Sequence, residues 1–136
     1  MKEITIEAKV DNLDRVLSFV DEQLESAGCS IGIQTQIDIA VEEVFVNIAQ
    51  YAYDPNVGPA TISVETSSNP LKVKLTFMDK GMPYNPLAKD DPDVTQSADE
   101  RPIGGLGIYM VKNIMDDVEY EYKDGQNIFT IAKNIE

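Results

Sequence analysis

Residues 60–66, ATISVET, and 71–78, LKVKLTFM, alternate apolar with polar side chains, and only SSNP separates them. A period of two marks a strand with one buried face. Four linking residues are too few for a crossover helix, so the two runs pair as antiparallel neighbours. The arrangement recurs near the C-terminus, where about 117–123 and 126–133 flank KDGQ, an Asp-Gly hairpin signal. A further alternating run, residues 3–10 with Ile4, Ile6, Ala8 and Val10, predicts another strand.

Helical spacing fills the intervals. Asn12 is the expected N-cap of a helix carrying Leu13, Val16, Leu17, Val20 and Leu24, which stops at Gly28. A second helix covers about 33–52, with Ile37, Ala40, Val41, Val44, Phe45 and Ile48 as its apolar stripe, and YDPNVGP breaks it. A third covers about 105–116. The order β-α-α-β-β-loop-α-β-β predicts an α+β fold, a two-layer α/β sandwich whose sheet is mixed but mostly antiparallel, with helices on one face. The 136 residues, 43% of them hydrophobic, are expected to build one domain over 1–136. Residues 79–104 hold four of the seven prolines and mostly polar residues. A loop that long is usually a lid or binding loop.

Charge narrows the function classes. Eleven Lys and Arg against 24 Asp and Glu leave a net charge of −13, which phosphate backbones and anionic membranes repel. Direct nucleic-acid or lipid binding is therefore not expected, and any control of transcription should run through a protein. Cys29 is the sole cysteine, so no intrachain disulfide can form, and the absence of histidine excludes a His-ligated zinc or a Ser-His-Asp triad. The alternating N-terminus is not a signal sequence and no apolar run nears spanning length, so a soluble, cytoplasmic chain is expected.

Three short stretches carry possible chemistry. In IAVEEVFVNIAQYAY, Glu43 and Asn47 lie one helical turn apart beside the apolar stripe, while Glu42 points further toward water. A carboxylate and a carboxamide so placed suit a hard cation and a proton-accepting role; an ordinary solvated helix flank has the same spacing. In LTFMDKGMPYNP, Asp79 at a strand end could accept a hydrogen bond from an exocyclic amine, with Gly81 allowing close approach to a flat ring; a plain turn would read the same. In RPIGGLGIYMVKNIMDD, Gly104, Gly105 and Gly107 open a helix, where bare N–H groups favour phosphate and Arg101 could fork onto its oxygens. The spacing is neither that of the P-loop nor that of a dinucleotide fold, and a lid hinge fits as well.

Taken in order, E-x-x-x-N on a helix, D-x-G-x-P after a strand, a long loop and G-G-L-G opening a helix resemble the GHKL (Bergerat) ATP-binding superfamily. Within it the chain is most similar to the stand-alone anti-sigma-factor serine/threonine kinases of the RsbW and SpoIIAB type, over almost its whole length. The resemblance implies a histidine-kinase-like ATPase domain that uses ATP and Mg²⁺. Glu43 would be the catalytic base and Asn47 the Mg²⁺ ligand. Asp79 would read the adenine amine and Gly81 shape the pocket floor. Gly105, Leu106 and Gly107 would meet the nucleotide phosphates, with Arg101 at the terminal one. Such a kinase phosphorylates an anti-anti-sigma antagonist of the STAS type and binds a sigma factor or similar regulator. The resemblance leaves open a homodimer, a state common among similar proteins.

The chain departs from the family pattern twice. Tyr51 stands where a histidine commonly follows the motif asparagine, and the Gly-Thr often found near the final strand reads Gly125-Gln126-Asn127. Two other functions stay open at this point. One is a non-catalytic nucleotide-sensing module that sequesters a partner; the other is the ATP-binding piece of a split histidine kinase.

Overall fold

In the computed structural model, which describes residues 1–88 and 105–136, the predicted strands form one sheet. They are β1 (Lys2–Glu7), β2 (Pro59–Ser67), β3 (Lys72–Asp79), β4 (Asp117–Lys123) and β5 (Gln126–Asn134), in the order β1-β2-β3-β5-β4. Every pairing among the described strands is antiparallel, so the mixed component expected of the sheet is not found there. The SSNP turn places Asn69 at φ 64°, and the KDGQ turn places Asp124 and Gly125 at φ 55° and 78°. Consecutive positive φ values twist a two-residue turn in the sense of its flanking strands.

The helices are α1 (Leu13–Ser26), α2 (Ile31–Tyr51) and α3 (Gly105–Ile114). Their apolar stripes meet one face of the sheet. Val16, Val20 and Leu24 of α1, Ile37, Val41, Val44 and Phe45 of α2, and Val111 of α3 are buried against Ile62, Leu75, Phe77 and Ile131. The expected two-layer architecture with helices on one side is thus present. The long α2 lies at the centre of the layer, contacting both α1 and α3. No helix among the described residues is long and apolar enough to cross a membrane.

Helix ends show where local signals were overridden. Asn12 sits at the N-cap position of α1, but its side chain makes no capping bond; Nδ2 donates instead to the Glu7 carbonyl at 2.9 Å. The capping expectation is corrected accordingly, because tying down the end of β1 competes for the same amide. Ser30 does cap α2, its hydroxyl accepting from the Ile33 N–H at 3.3 Å. At the far end of α3, the Lys133 ammonium donates to the Ile114 carbonyl at 2.8 Å, which satisfies an otherwise unpaired helix C-terminal group.

Candidate functional site

Because α2 runs under the sheet to Tyr51, its last two turns face the ends of β3 and β5. The wall between them is a cleft of about 420 Å³, counting its open mouth. Val44, Asn47, Ile48 and Tyr51 of α2 form one side. Asp79 of β3, Asn127 and Phe129 of β5 and Tyr120 of β4 form another, with Ile108 of α3 and Tyr84 completing it. The lining is mainly apolar with a few convergent polar groups, the composition of a small-molecule site.

Asp79 is buried at the end of β3, 6% exposed. Its Oδ1 accepts from the Gly81 N–H at 2.9 Å and from the Asn127 amide at 2.9 Å. Strand register sets this pairing, since Asp79 lies directly opposite Asn127 in the β3–β5 ladder. Asn127 itself is 6% exposed. It also donates to the Met82 carbonyl at 3.0 Å and accepts from the Tyr84 N–H at 3.1 Å and from the Tyr120 hydroxyl. Its neighbour Gln126 points to the opposite face of the sheet, beside Thr5 and Thr61. Asn127 is thus the member of the departing Gly-Gln-Asn stretch that reaches the site. Sequence reasoning did not assign it this role; the alternation of β5 was the signal available.

Gly81 is placed differently from expectation. It is not among the lining residues of the cleft. A Cβ at this position would overlap the Ala52 carbonyl group at the end of α2, and the next N–H, of Met82, donates to that same carbonyl at 2.9 Å. The close approach Gly81 permits is between the post-β3 loop and the helix end. Tyr53 adds a second fastening there, donating to the Pro59 carbonyl at 2.6 Å while accepting from the Lys80 N–H at 2.8 Å.

At the other end of the cleft, Glu42 is exposed while Glu43 and Asn47 are half-buried, as the helical projection requires. Asn47 lines the cleft. Glu43 lies against the first turn of α3, where a Cβ on Gly107 would collide with its carboxylate. Burial, with the adjacent Glu42 charge second, pushes the Glu43 carboxyl above its usual range. A carboxylate so shifted is a better proton acceptor near neutral pH. Tyr51, at the position of the family's histidine, lines the cleft with Tyr84, ring centroids 6.2 Å apart.

Gly105 and Leu106 open α3, so the expected glycine-to-helix junction is present. Arg101 and Gly104 lie outside the described residues. The structure therefore brings together Asn47, Asp79 and the start of α3 around one cleft, with Glu43 at its edge and Gly81 behind it.

Comparison with known proteins gives the family and the fold. The model of the histidine kinase-like ATPase domain matches residues 6–133. The serine-protein kinase RsbW of Bacillus cereus is 29% identical over 92 residues, 66% of this chain and 58% of that protein. The chain thus spans somewhat more than half the length of that relative. The serine/threonine-protein kinase BtrW of Bordetella bronchiseptica is 26% identical over 105 residues, 77% of this chain and 73% of that one. Among solved structures, the RsbU and RsbW domains of Rv1364c from Mycobacterium tuberculosis superpose with a TM-score of 0.65 at 14% identity, covering 99% of this chain and 33% of that chain. The histidine kinase AdeS of Acinetobacter baumannii gives 0.52 at 18% identity, covering 99% and 69% respectively. These likenesses speak for the fold, and the match over residues 6–133 makes the chain a member of the histidine kinase-like ATPase domain family.

Proposed function

We propose that the chain is an ATP-dependent serine/threonine protein kinase acting as a cytoplasmic partner switch. The observation that carries the proposal is one cleft lined by a buried carboxylate, Asp79, together with Asn47 of α2 and Ile108 in the first turn of α3. In this reading the adenine lies between Tyr51, Tyr84 and Phe129 with its amine on Asp79, and the phosphates extend toward the first turn of α3.

The donor chemistry at that end fits Mg²⁺. Asn47 offers a hard amide oxygen from the cleft wall, and no group of three acidic, His or Cys side chains that could hold a metal exists among the described residues. Mg²⁺ is commonly held by few protein ligands, with water and substrate phosphates supplying the rest. When bound, it would neutralise charge on the phosphates. Glu43 takes the proton from a partner's serine or threonine hydroxyl as that oxygen bonds to the γ-phosphorus. The bond from phosphorus to the β–γ bridging oxygen breaks, and ADP leaves. The half-buried setting of Glu43 favours that role.

The partner reading rests on the family resemblance and on charge. A net charge of −13 suits protein partners and repels nucleic acid, which supports a STAS-type antagonist as phosphoryl acceptor and a sigma factor or similar regulator as the sequestered partner. Incubation with γ-labelled ATP and the antagonist encoded nearest to this chain tests the reading. Wild type should label the antagonist, and Glu43→Ala should lower the rate by roughly 10²–10⁴-fold while still binding ATP. Equal labelling by the variant would remove Glu43 as base. ATP binding by wild type with no transfer would leave a sequestering module.

A further inference from the structure

We propose that Asn127 is a positioning residue that sets base selectivity, by holding Asp79 so that one carboxylate oxygen remains to meet the purine's 6-position. The inference rests on the reading of Asp79 as the adenine contact. An asparagine side chain has two N–H donors and two acceptor lone pairs, and Asn127 uses all four. Nδ2 donates to Asp79 Oδ1 and to the Met82 carbonyl, with the Gly81 carbonyl a longer third neighbour at 3.5 Å. Oδ1 accepts from the Tyr84 N–H and the Tyr120 hydroxyl. The orientation of the amide is forced by its backbone partners. A peptide N–H can only donate, so it must face Oδ1; a carbonyl can only accept, so it must face Nδ2.

The consequence falls on Asp79. Its Oδ1 already receives two donors, from Gly81 and Asn127. Rotation of the carboxylate would break both, so Oδ2 is the oxygen left for a group in the cleft. An acceptor fixed in that position favours a 6-amino purine, which can donate, over a 6-oxo purine, which presents another acceptor. The same amide fixes Tyr84, through its backbone N–H, opposite Tyr51. Asn127 therefore ties the base-reading carboxylate and one wall of the base slot to a single side chain.

Calorimetric titration of the full chain with Mg-ATP and with Mg-ITP, its 6-oxo counterpart, tests this. Asn127→Leu, close in volume, removes both donors to Asp79 and Met82. Asn127→Ala, which also lacks any side-chain donor, is a second variant in case the first does not fold. Because both nucleotides meet the same folded fraction, lost stability alone does not move their affinity ratio. Wild type should prefer ATP by about tenfold or more, and an Asn127 variant should lower that ratio about tenfold. Asp79→Asn should abolish or invert the preference. A folded Asn127 variant that keeps the wild-type ratio, while Asp79→Asn loses it, would overturn the role of Asn127 alone. An unchanged ratio in Asp79→Asn would overturn the adenine reading beneath it.

Discussion

The two ends of the cleft are built in different ways. At the end proposed for the base, Asp79, Gly81, Tyr84, Tyr120 and Asn127 share one hydrogen-bond network and are locked by strand register and by the end of α2. At the end proposed for the phosphates, Glu43 and Asn47 project from one helix flank, and among the described residues their side-chain polar atoms make no hydrogen bond. The first end is preorganised to meet a rigid, flat group; in the proposed reading the second is left for groups that arrive with the nucleotide. Recognition of a base needs fixed donors and acceptors. Phosphoryl transfer needs charge, a metal ion and one base brought into line.

The two glycines mark that division and give the sharpest way to break it. Gly81→Ala puts a methyl group into the Ala52 backbone, which cannot move without shifting α2 against the post-β3 loop. Its expected cost is roughly 1–3 kcal/mol of stability, read as a lower midpoint in urea unfolding. Gly107→Ala meets only the far end of a flexible side chain, the Glu43 carboxylate. That variant should keep its fold and bind ATP, while phosphoryl transfer slows about 10- to 100-fold because the base is displaced. If Gly107→Ala unfolds the chain and Gly81→Ala does not, the assignment of the two ends is reversed. Gly107→Val is expected to weaken ATP binding as well, since its bulk stands where the phosphates are read to lie.

A smaller effect lies away from the cleft, between α1 and α2. Burial first, then a hydrogen bond with Asp21 and the charges of Asp21 and Glu25, push the Asp38 carboxyl up to about 7, and Cys29 lies close by. A folded-state value above the unfolded value of about 4 means that the native chain holds this proton more tightly. The resulting stability is fully present below pH about 4 and is lost as pH rises through 7. Thermal midpoints should therefore fall between about pH 4 and 7 in wild type, and Asp38→Asn should flatten that slope. An identical slope in the variant would assign the dependence to other groups.

How much of this was legible beforehand follows from the range of each interaction. The α2 stripe, the two turns and the Glu43–Asn47 spacing depend on neighbours within a few residues, and each stands in the structure as periodicity implied. Asn127 was visible only as a departure from Gly-Thr, because its role depends on register with Asp79, 48 residues away. Gly81 suggested room for a ligand, but its neighbour is Ala52, which only the packing of α2 against the loop brings near. Asn12 carried a capping signal that the end of β1 captured.

The cleft between α2, the β3–β5 ladder and α3 is the proposed seat of the nucleotide. Amide-resolved NMR titration of the isotopically labelled chain with Mg-ATP tests it most directly. The largest shifts are expected at the Asn127 side-chain amide, the Gly81 and Tyr84 N–H groups, the Asn47 side chain and the Gly107 N–H. Shifts confined to the opposite face of the sheet, around Thr61, Thr76 and Thr130, or no saturable shift at millimolar nucleotide, would contradict it.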